Sequence, residues 1–184
     1  MDYRKEILKH YEKVWTLSDY YFINLEEGPM KEFDPDFTII VVPPNEKRDV
    51  WTYATLGMSN SKNEPHVELH LFSENENDSL SEILTAVAYY HMTGNKLSLD
   101  NTVNFGRPWQ PESTCKYGLI SLPYLDGTSL EKLLIDNVTI YCYWLIPITE
   151  KERNYKQSYG VEKLEKIFES NQIDYLDPYR DSAV

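Results

Sequence analysis

Apolar positions recur along the chain with two periods, and the switches between them mark out its elements. Over residues 2–17, Ile7, Leu8, Tyr11, Val14 and Trp15 return every three or four positions, the spacing of one helix face, with Asp2 placed to cap the first turn. That stripe needs a sheet or another helix to cover it. Residues 37–42, Phe-Thr-Ile-Ile-Val-Val, read as a strand because β-branched residues dominate, and Pro43-Pro44 end it by removing ladder donors. Residues 51–56 and 67–72 follow as further strands after polar turns, so three consecutive strands predict a meander. In the third, Val67, Leu69 and Leu71 alternate with His66, Glu68 and His70, which predicts an apolar face inward and a polar face toward water.

The period then returns to that of a helix. Ser79 and Glu82 have the spacing of a capping box, Ile83, Leu84, Val87, Ala88 and Tyr90 supply a broad apolar face, and Gly94 stands where a helix would stop. Residues 117–122 read as a strand ended by Pro123, and Leu125-Asp126-Gly127-Thr128 as a turn. Over residues 138–146 both alternating sets are apolar, which predicts a central strand covered on both sides. Thr149 and Glu152 form another capping-box pair, Val161, Leu164, Ile167 and Phe168 predict a last amphipathic helix after Gly160, and residues 173–184 have no regular pattern. Strands come in runs and do not alternate strictly with helices. The expected fold is therefore α+β (mixed α/β): one domain with a central mixed, largely antiparallel sheet flanked by helices on both sides.

Charge narrows the partners. Eighteen Lys and Arg against thirty Asp and Glu give a net charge of −12, which repels a phosphate backbone and favours a basic protein partner, for instance one that itself binds nucleic acid. An acidic balance that only maintains solubility explains the same number equally well. No apolar run approaches the roughly 20 residues of a membrane helix, and the N-terminus lacks a signal-peptide pattern. Two distant cysteines, Cys115 and Cys142, make no disulfide framework, so a soluble cytoplasmic protein without a membrane partner is expected.

Catalytic patterns are sparse. The seven glycines are scattered singly, so neither GxGxxG nor GxxxxGK[ST] occurs. His66, Glu68 and His70 would share a strand face and could in principle hold a divalent metal, but no fourth ligand is evident and a solvated polar face is the better explanation. Cys115 with His91 could make a nucleophile and base, yet nothing places them together, and Cys142 reads as a small buried hydrophobe. No catalytic residue, cofactor site or metal site is assigned. Fifteen tyrosines and four tryptophans are the unusual feature, Tyr89-Tyr90, Phe105 with Trp109, Tyr124 and Tyr175 among the aromatics outside plain core periodicity; such side chains serve as core and as interface anchors.

Four segments in order carry a resemblance: Trp51-Thr-Tyr-Ala-Thr-Leu-Gly-Met-Ser59; Val103-Asn-Phe-Gly-Arg-Pro-Trp109; Ile120-Ser-Leu-Pro-Tyr-Leu-Asp-Gly127 with Tyr143-Trp-Leu-Ile-Pro-Ile-Thr-x-x-Glu152; and Asp174-Tyr-Leu-Asp-Pro-Tyr-Arg-Asp-Ser182. Together they resemble the suppressor of fused domain family from about residue 50 to the end, in its short bacterial form, with residues 1–184 as a single domain. The resemblance implies a mixed α/β domain without enzymatic activity or cofactor. Animal relatives sequester a transcription factor, and the short bacterial forms resemble immunity proteins, or antitoxins, that neutralise toxins. The additional C-terminal domain of the animal proteins is lacking, so their two-domain clamp does not carry over whole. The family's partner-binding neighbourhood corresponds to Tyr90 and to the loop through Leu97, Asp100 and Asn101.

The residues themselves agree with that placement, because residues 95–112 make a long loop with aromatics and arginine interspersed, and long loops in compact domains tend to be functional. Arg107 and Trp109 join the candidate partner-binding set, although locking the loop onto the sheet is the more frequent role for such residues. Two functions follow as expectations. One is an immunity protein or antitoxin that binds a cognate protein toxin, a basic nuclease being the candidate that the charge suggests, and blocks it by occlusion. The alternative is an intracellular adaptor that sequesters a regulatory protein such as a transcription factor.

Overall fold

The computed structural model describes residues 2–46, 48–62 and 64–184. The first helix, α1 (Arg4–Trp15), buries Ile7, Tyr11 and Trp15 along its stripe. Asp2 accepts the backbone N–H of Arg4 at 3.1 Å from just outside the cap, and Thr16 ends the helix in the left-handed region at φ 52°. A short edge strand β1 (Tyr21–Asn24) and one helical turn α2 (Pro29–Phe33) precede the meander of β2 (Thr38–Val42), β3 (Trp51–Leu56) and β4 (His66–Ser73), all antiparallel in sequence order. The predicted meander is present, with β1 as an added fourth strand.

Helix α3 (Ser79–Met92) and the three-residue strand β5 (Thr102–Asn104) follow, then β6 (Cys115–Ser121), the turn-length α4 (Thr128–Glu131), β7 (Lys132–Ile135), β8 (Val138–Thr149), α5 (Glu150–Tyr159) and α6 (Val161–Ser170). The sheet order is β1-β2-β3-β4-β8-β6-β5. Strand β8 is long enough to serve two neighbours on one edge, β7 along its first four residues and β6 along its last six, while β4 runs parallel on the other edge. It is the central strand that its two apolar faces predict. Among the described residues the result is one open, mostly antiparallel eight-stranded sheet with six helices, a single α+β domain.

Helices cover both faces. On one, α3 and α2 pack on Ile39, Val41, Tyr53, Val67, Leu69, Leu71 and Leu145. On the other, α1 covers Ile40, Ala54 and Cys142, and α6 with the C-terminal tail covers Phe72, Leu119, Trp144 and Ile146. This second layer overturns the solvated face expected for β4. Glu68 and His70 are both 0 % exposed, because β4 lies between β3 and β8 under the α1 layer.

The two capping boxes fare differently. At α5 the Thr149 hydroxyl accepts the Glu152 N–H at 3.2 Å and Glu152 accepts the Thr149 N–H at 2.8 Å, both halves of the box. At α3 the box does not form: Asp78 is the cap, Ser79 is already helical, and its N–H and hydroxyl go to Asn77 Oδ1 at 3.1 and 2.7 Å. Glu82 is left free to pair with Arg107 at 2.9 Å.

Candidate functional site

Tyr90 projects from the last turn of α3 with nearly half its surface exposed. Its neighbour His91 turns inward, and its Nδ1 accepts the N–H of Leu97 at 3.1 Å, fixing the start of the following loop. Burial, with His66 nearby, pulls His91 down to about 4, so at neutral pH the ring is uncharged and Nδ1 keeps its lone pair for that bond. Leu97 is buried beneath the loop. Asn101 Oδ1 accepts from the Ser98 N–H at 2.9 Å, and Asp100 and Asn101 exchange backbone hydrogen bonds with Ile120 of β6 at 2.9 Å each. Asp100 holds a left-handed φ of 67°, and the Lys156 ammonium of α5 donates to its carbonyl.

This welded turn leaves two concavities beside Tyr90. One, of about 430 Å³, is lined by Tyr90, Leu97, Asn101, Thr102 and Lys156. The other, of about 250 Å³, runs between α3 and the edge strand β5, over Ile83, Val87, Val103 and Phe105. Among the described residues strand β5 pairs only with β6, so its other edge faces this groove. The expected structureless loop thus contains a strand, with backbone groups at a sheet edge.

Of the six residues the sequence singled out, the structure brings Tyr90, Leu97 and Asn101 to one cavity with Asp100 adjoining. Arg107 and Trp109 lie toward the other end of α3, eleven residues or about 16 Å along the helix. Arg107 donates to the Ser79 carbonyl at 2.6 Å and pairs with Glu82, and Trp109 is 1 % exposed in the core with its backbone N–H on the Cys115 carbonyl at 3.0 Å. Both fasten the chain to α3 and β6.

The groups weighed for catalysis are placed for structure. Glu68 accepts from the Thr55 hydroxyl at 2.5 Å, the Gly57 and Ser59 N–H groups at 3.1 and 3.0 Å, and the Ser59 hydroxyl at 2.7 Å. Its oxygens are thereby engaged, and among the described residues no three His, Cys, Asp or Glu side chains are grouped to hold a metal. Cys115 is buried with its thiol pushed up by desolvation, and Cys142, buried in β8, is raised further for the same reason; neither is an activated thiolate.

Sequence reasoning missed a set of buried polar anchors. The Asp126 side chain, recognised only as part of a turn, is 1 % exposed. It accepts the Trp15 indole N–H at 2.9 Å, pairs with the Arg48 guanidinium, and lies 3.5 Å from His70 Nε2. Burial, reinforced by Arg48, pulls His70 down to about 3. At the C-terminus Arg180 reaches Glu152 with both terminal nitrogens, at 2.6 and 2.9 Å, and also the Pro147 carbonyl at 3.0 Å. The tail has no regular structure, as expected, yet is pinned by an ion pair.

The family model described as suppressor of fused protein matches residues 34–181. The chain belongs to the suppressor of fused family. A suppressor of fused homologue from Neisseria gonorrhoeae FA 1090 is 36 % identical, with a TM-score of 0.87 over 99 % of this chain and 97 % of that one. The match therefore reaches back over α1, further than the sequence segments did. A curated relative, immunity protein YqcF of Bacillus subtilis (strain 168), is 24 % identical over 155 residues, 79 % of this chain and 81 % of that protein. The fold is also that of the Sufu–Fu complex structure (14 % identity, TM-score 0.73, covering 99 % of this chain and 92 % of that one) and of Drosophila suppressor of fused (12 %, TM-score 0.68), where 96 % of this chain spans half of the other. The four segments that carried the suppressor of fused resemblance coincide with anchors: Gly57 and Ser59 hold Glu68, Arg107 holds Ser79, Asp126 holds Trp15, and Glu152 holds Arg180.

Proposed function

We propose that the chain is an immunity protein, an antitoxin that binds a cognate bacterial toxin in the cytoplasm and blocks it by occlusion. The observation that carries this reading is the relationship to the B. subtilis protein named an immunity protein, which runs over about four-fifths of both chains. The net charge of −12 favours a basic toxin, and a nuclease, whose surface is built to hold phosphates, is the class that suits it best. The surface around Tyr90, Leu97, Asp100 and Asn101 combines an exposed aromatic with a rigid turn, the features of an interface anchor. Arg107 and Trp109 support this surface by fixing α3 against the loop. Such a mechanism needs shape and charge matching and no chemistry by this chain.

Co-expression with a candidate cognate toxin tests the reading. Growth should depend on this chain, and protection should weaken with Tyr90→Ala while the variant stays folded. Killing that continues in the presence of the folded chain would end the proposal. The association rate should fall as ionic strength rises, and a rate indifferent to salt would remove the electrostatic part. A second reading, an adaptor that sequesters a regulatory protein such as a transcription factor, draws on the fold shared with a structure solved as the Sufu–Fu complex and on the open edge of β5. Capture of a regulatory protein in place of a toxin domain from the native cell would favour it.

A further inference from the structure

On the sheet face opposite Tyr90, α6 and the segment after β6 leave a groove of about 550 Å³ between them, the largest of those described. Its floor is apolar: Leu119, Trp144, Ile146 and Phe168 are core side chains of this layer. One rim carries Tyr124 and Leu125, both more than half exposed. The opposite wall carries Glu162, Glu165 and Glu169, whose spacing puts them on one face of α6. Like charges at that spacing destabilise a helix, and among the described residues none of the three makes a salt bridge, although Lys166 also borders the groove.

Polar groups also line the floor and the wall. The Ser121 hydroxyl on the floor is buried beside the Tyr124 phenol. Glu165 accepts the Tyr124 hydroxyl at 3.1 Å, and burial, with Asp100 and Glu162 adding repulsion, outweighs that bond and pushes its carboxyl up.

We propose that this groove is a second docking surface, one that takes a basic amphipathic segment of a protein partner. Basic side chains would lay their aliphatic stems along the apolar floor and carry their heads to the three carboxylates, while a neighbouring apolar side chain fills the space against Tyr124 and Leu125. Charge complementarity selects this occupant: an acidic segment would add to the repulsion and a purely apolar one would leave the carboxylates unmatched. The groove is separate from the Tyr90 surface and does not depend on the partner's being a toxin. The two approach each other at Asp100, whose charge is felt at Glu165, so one partner could span both.

The test uses a fluorescent helical peptide of about 14 residues, four turns, made only of leucine and lysine at amphipathic spacing. It should bind saturably, and Glu162→Gln/Glu165→Gln/Glu169→Gln should weaken it roughly tenfold, the loss expected of three weak rim contacts together. Glu26→Gln/Glu27→Gln/Glu32→Gln, which removes the same charge elsewhere on the surface, should leave affinity within about twofold. Equal weakening by both triple variants would reduce the effect to net charge and overturn the proposal. So would equal binding of a glycine–lysine peptide or of spermidine, neither of which needs the apolar floor, and so would the absence of saturable binding. Five of the six glutamates are exposed and Glu165 is half-buried, so circular dichroism and urea unfolding of both triple variants should match the parent, keeping loss of binding distinct from loss of fold.

Discussion

Among the described residues two glutamates lie at full burial, and they are held in opposite ways. Glu152 faces the Arg180 guanidinium through two charge-assisted bonds and also accepts the backbone N–H groups of Thr149 and Ala183. Glu68 has four donors as well, but all are neutral. Burial pushes both carboxyls up; at Glu152 the arginine and the N–H groups outweigh it and hold the group below its ordinary range, whereas at Glu68 burial wins and the group stays raised. The first is a charge that the fold keeps in order to fasten its tail. The second is a carboxylate used as a hydrogen-bond acceptor, for which ionisation is a burden.

The largest effect should come from breaking the ion pair. Arg180→Ala leaves Glu152 buried without its counter-charge, and Glu152→Gln does the same to Arg180, so each should destabilise the domain by about 3–5 kcal/mol. Urea unfolding of either variant measures this. A loss under about 1 kcal/mol would mean that water reaches the pair and that the contrast with Glu68 is not one of burial.

This contrast also marks what could be read from the sequence. The long periodic elements α1, β2, β3, β4, α3, β8 and α6 were legible because each buries a full face, and the Thr149–Glu152 box was legible because capping is local. Strands β1, β5 and β7 were not: four, three and four residues at a sheet edge bury too little to impose a period. The face of β4 was misread because alternation cannot distinguish solvent from a second layer that carries its own donors. Glu152 and Arg180 are 28 residues apart, and Asp126 and Trp15 are 111 apart, so their pairing belongs to the tertiary fold. Tyr90, Leu97, Asp100 and Asn101 were reached through family resemblance; the acidic wall of α6 was in view only as the polar side of a helix.

A smaller effect should appear on mild acidification. His70 is neutral in the fold, held down to about 3 by burial and by Arg48, against an ordinary value of 6.5. A group depressed in this way binds its proton more readily when unfolded, so stability is full above about pH 6.5 and falls as the pH drops toward the folded value. From about pH 7 to about pH 5 the loss through His70 should be roughly 2 kcal/mol, and His91, depressed to about 4, adds a loss of the same sign. Glu152 does not enter this window, because its lowered pKa makes its contribution fail only below its ordinary 4.5. Denaturation midpoints at the two pH values should therefore differ, and His70→Asn should narrow the difference. A parent protein whose stability is flat over this range would show that the His70 site is wet and that Asp126 is not shielded.

The smallest effect, and the sharpest test of the opening contrast, is Glu68→Gln. The amide oxygen can take the Oε1 position and keep the Gly57 and Ser59 donors, and the amide nitrogen can donate to Thr55, whose hydroxyl also lies 3.4 Å from the Leu69 carbonyl. Removing the charge relieves desolvation, so neutral-pH stability should stay within about 1 kcal/mol of the parent, far from the several expected for Glu152→Gln. The pH response should change in step. A raised folded pKa means that Glu68 takes up a proton in the fold before it does in the unfolded chain, which stabilises the domain as pH falls through that value and partly offsets His70. With glutamine this offset is gone, and the acid decline should steepen. If Glu68→Gln instead destabilises as much as Glu152→Gln and leaves the decline unchanged, the Glu68 carboxylate is ionised and matched by its neutral donors, and the distinction between the two sites collapses.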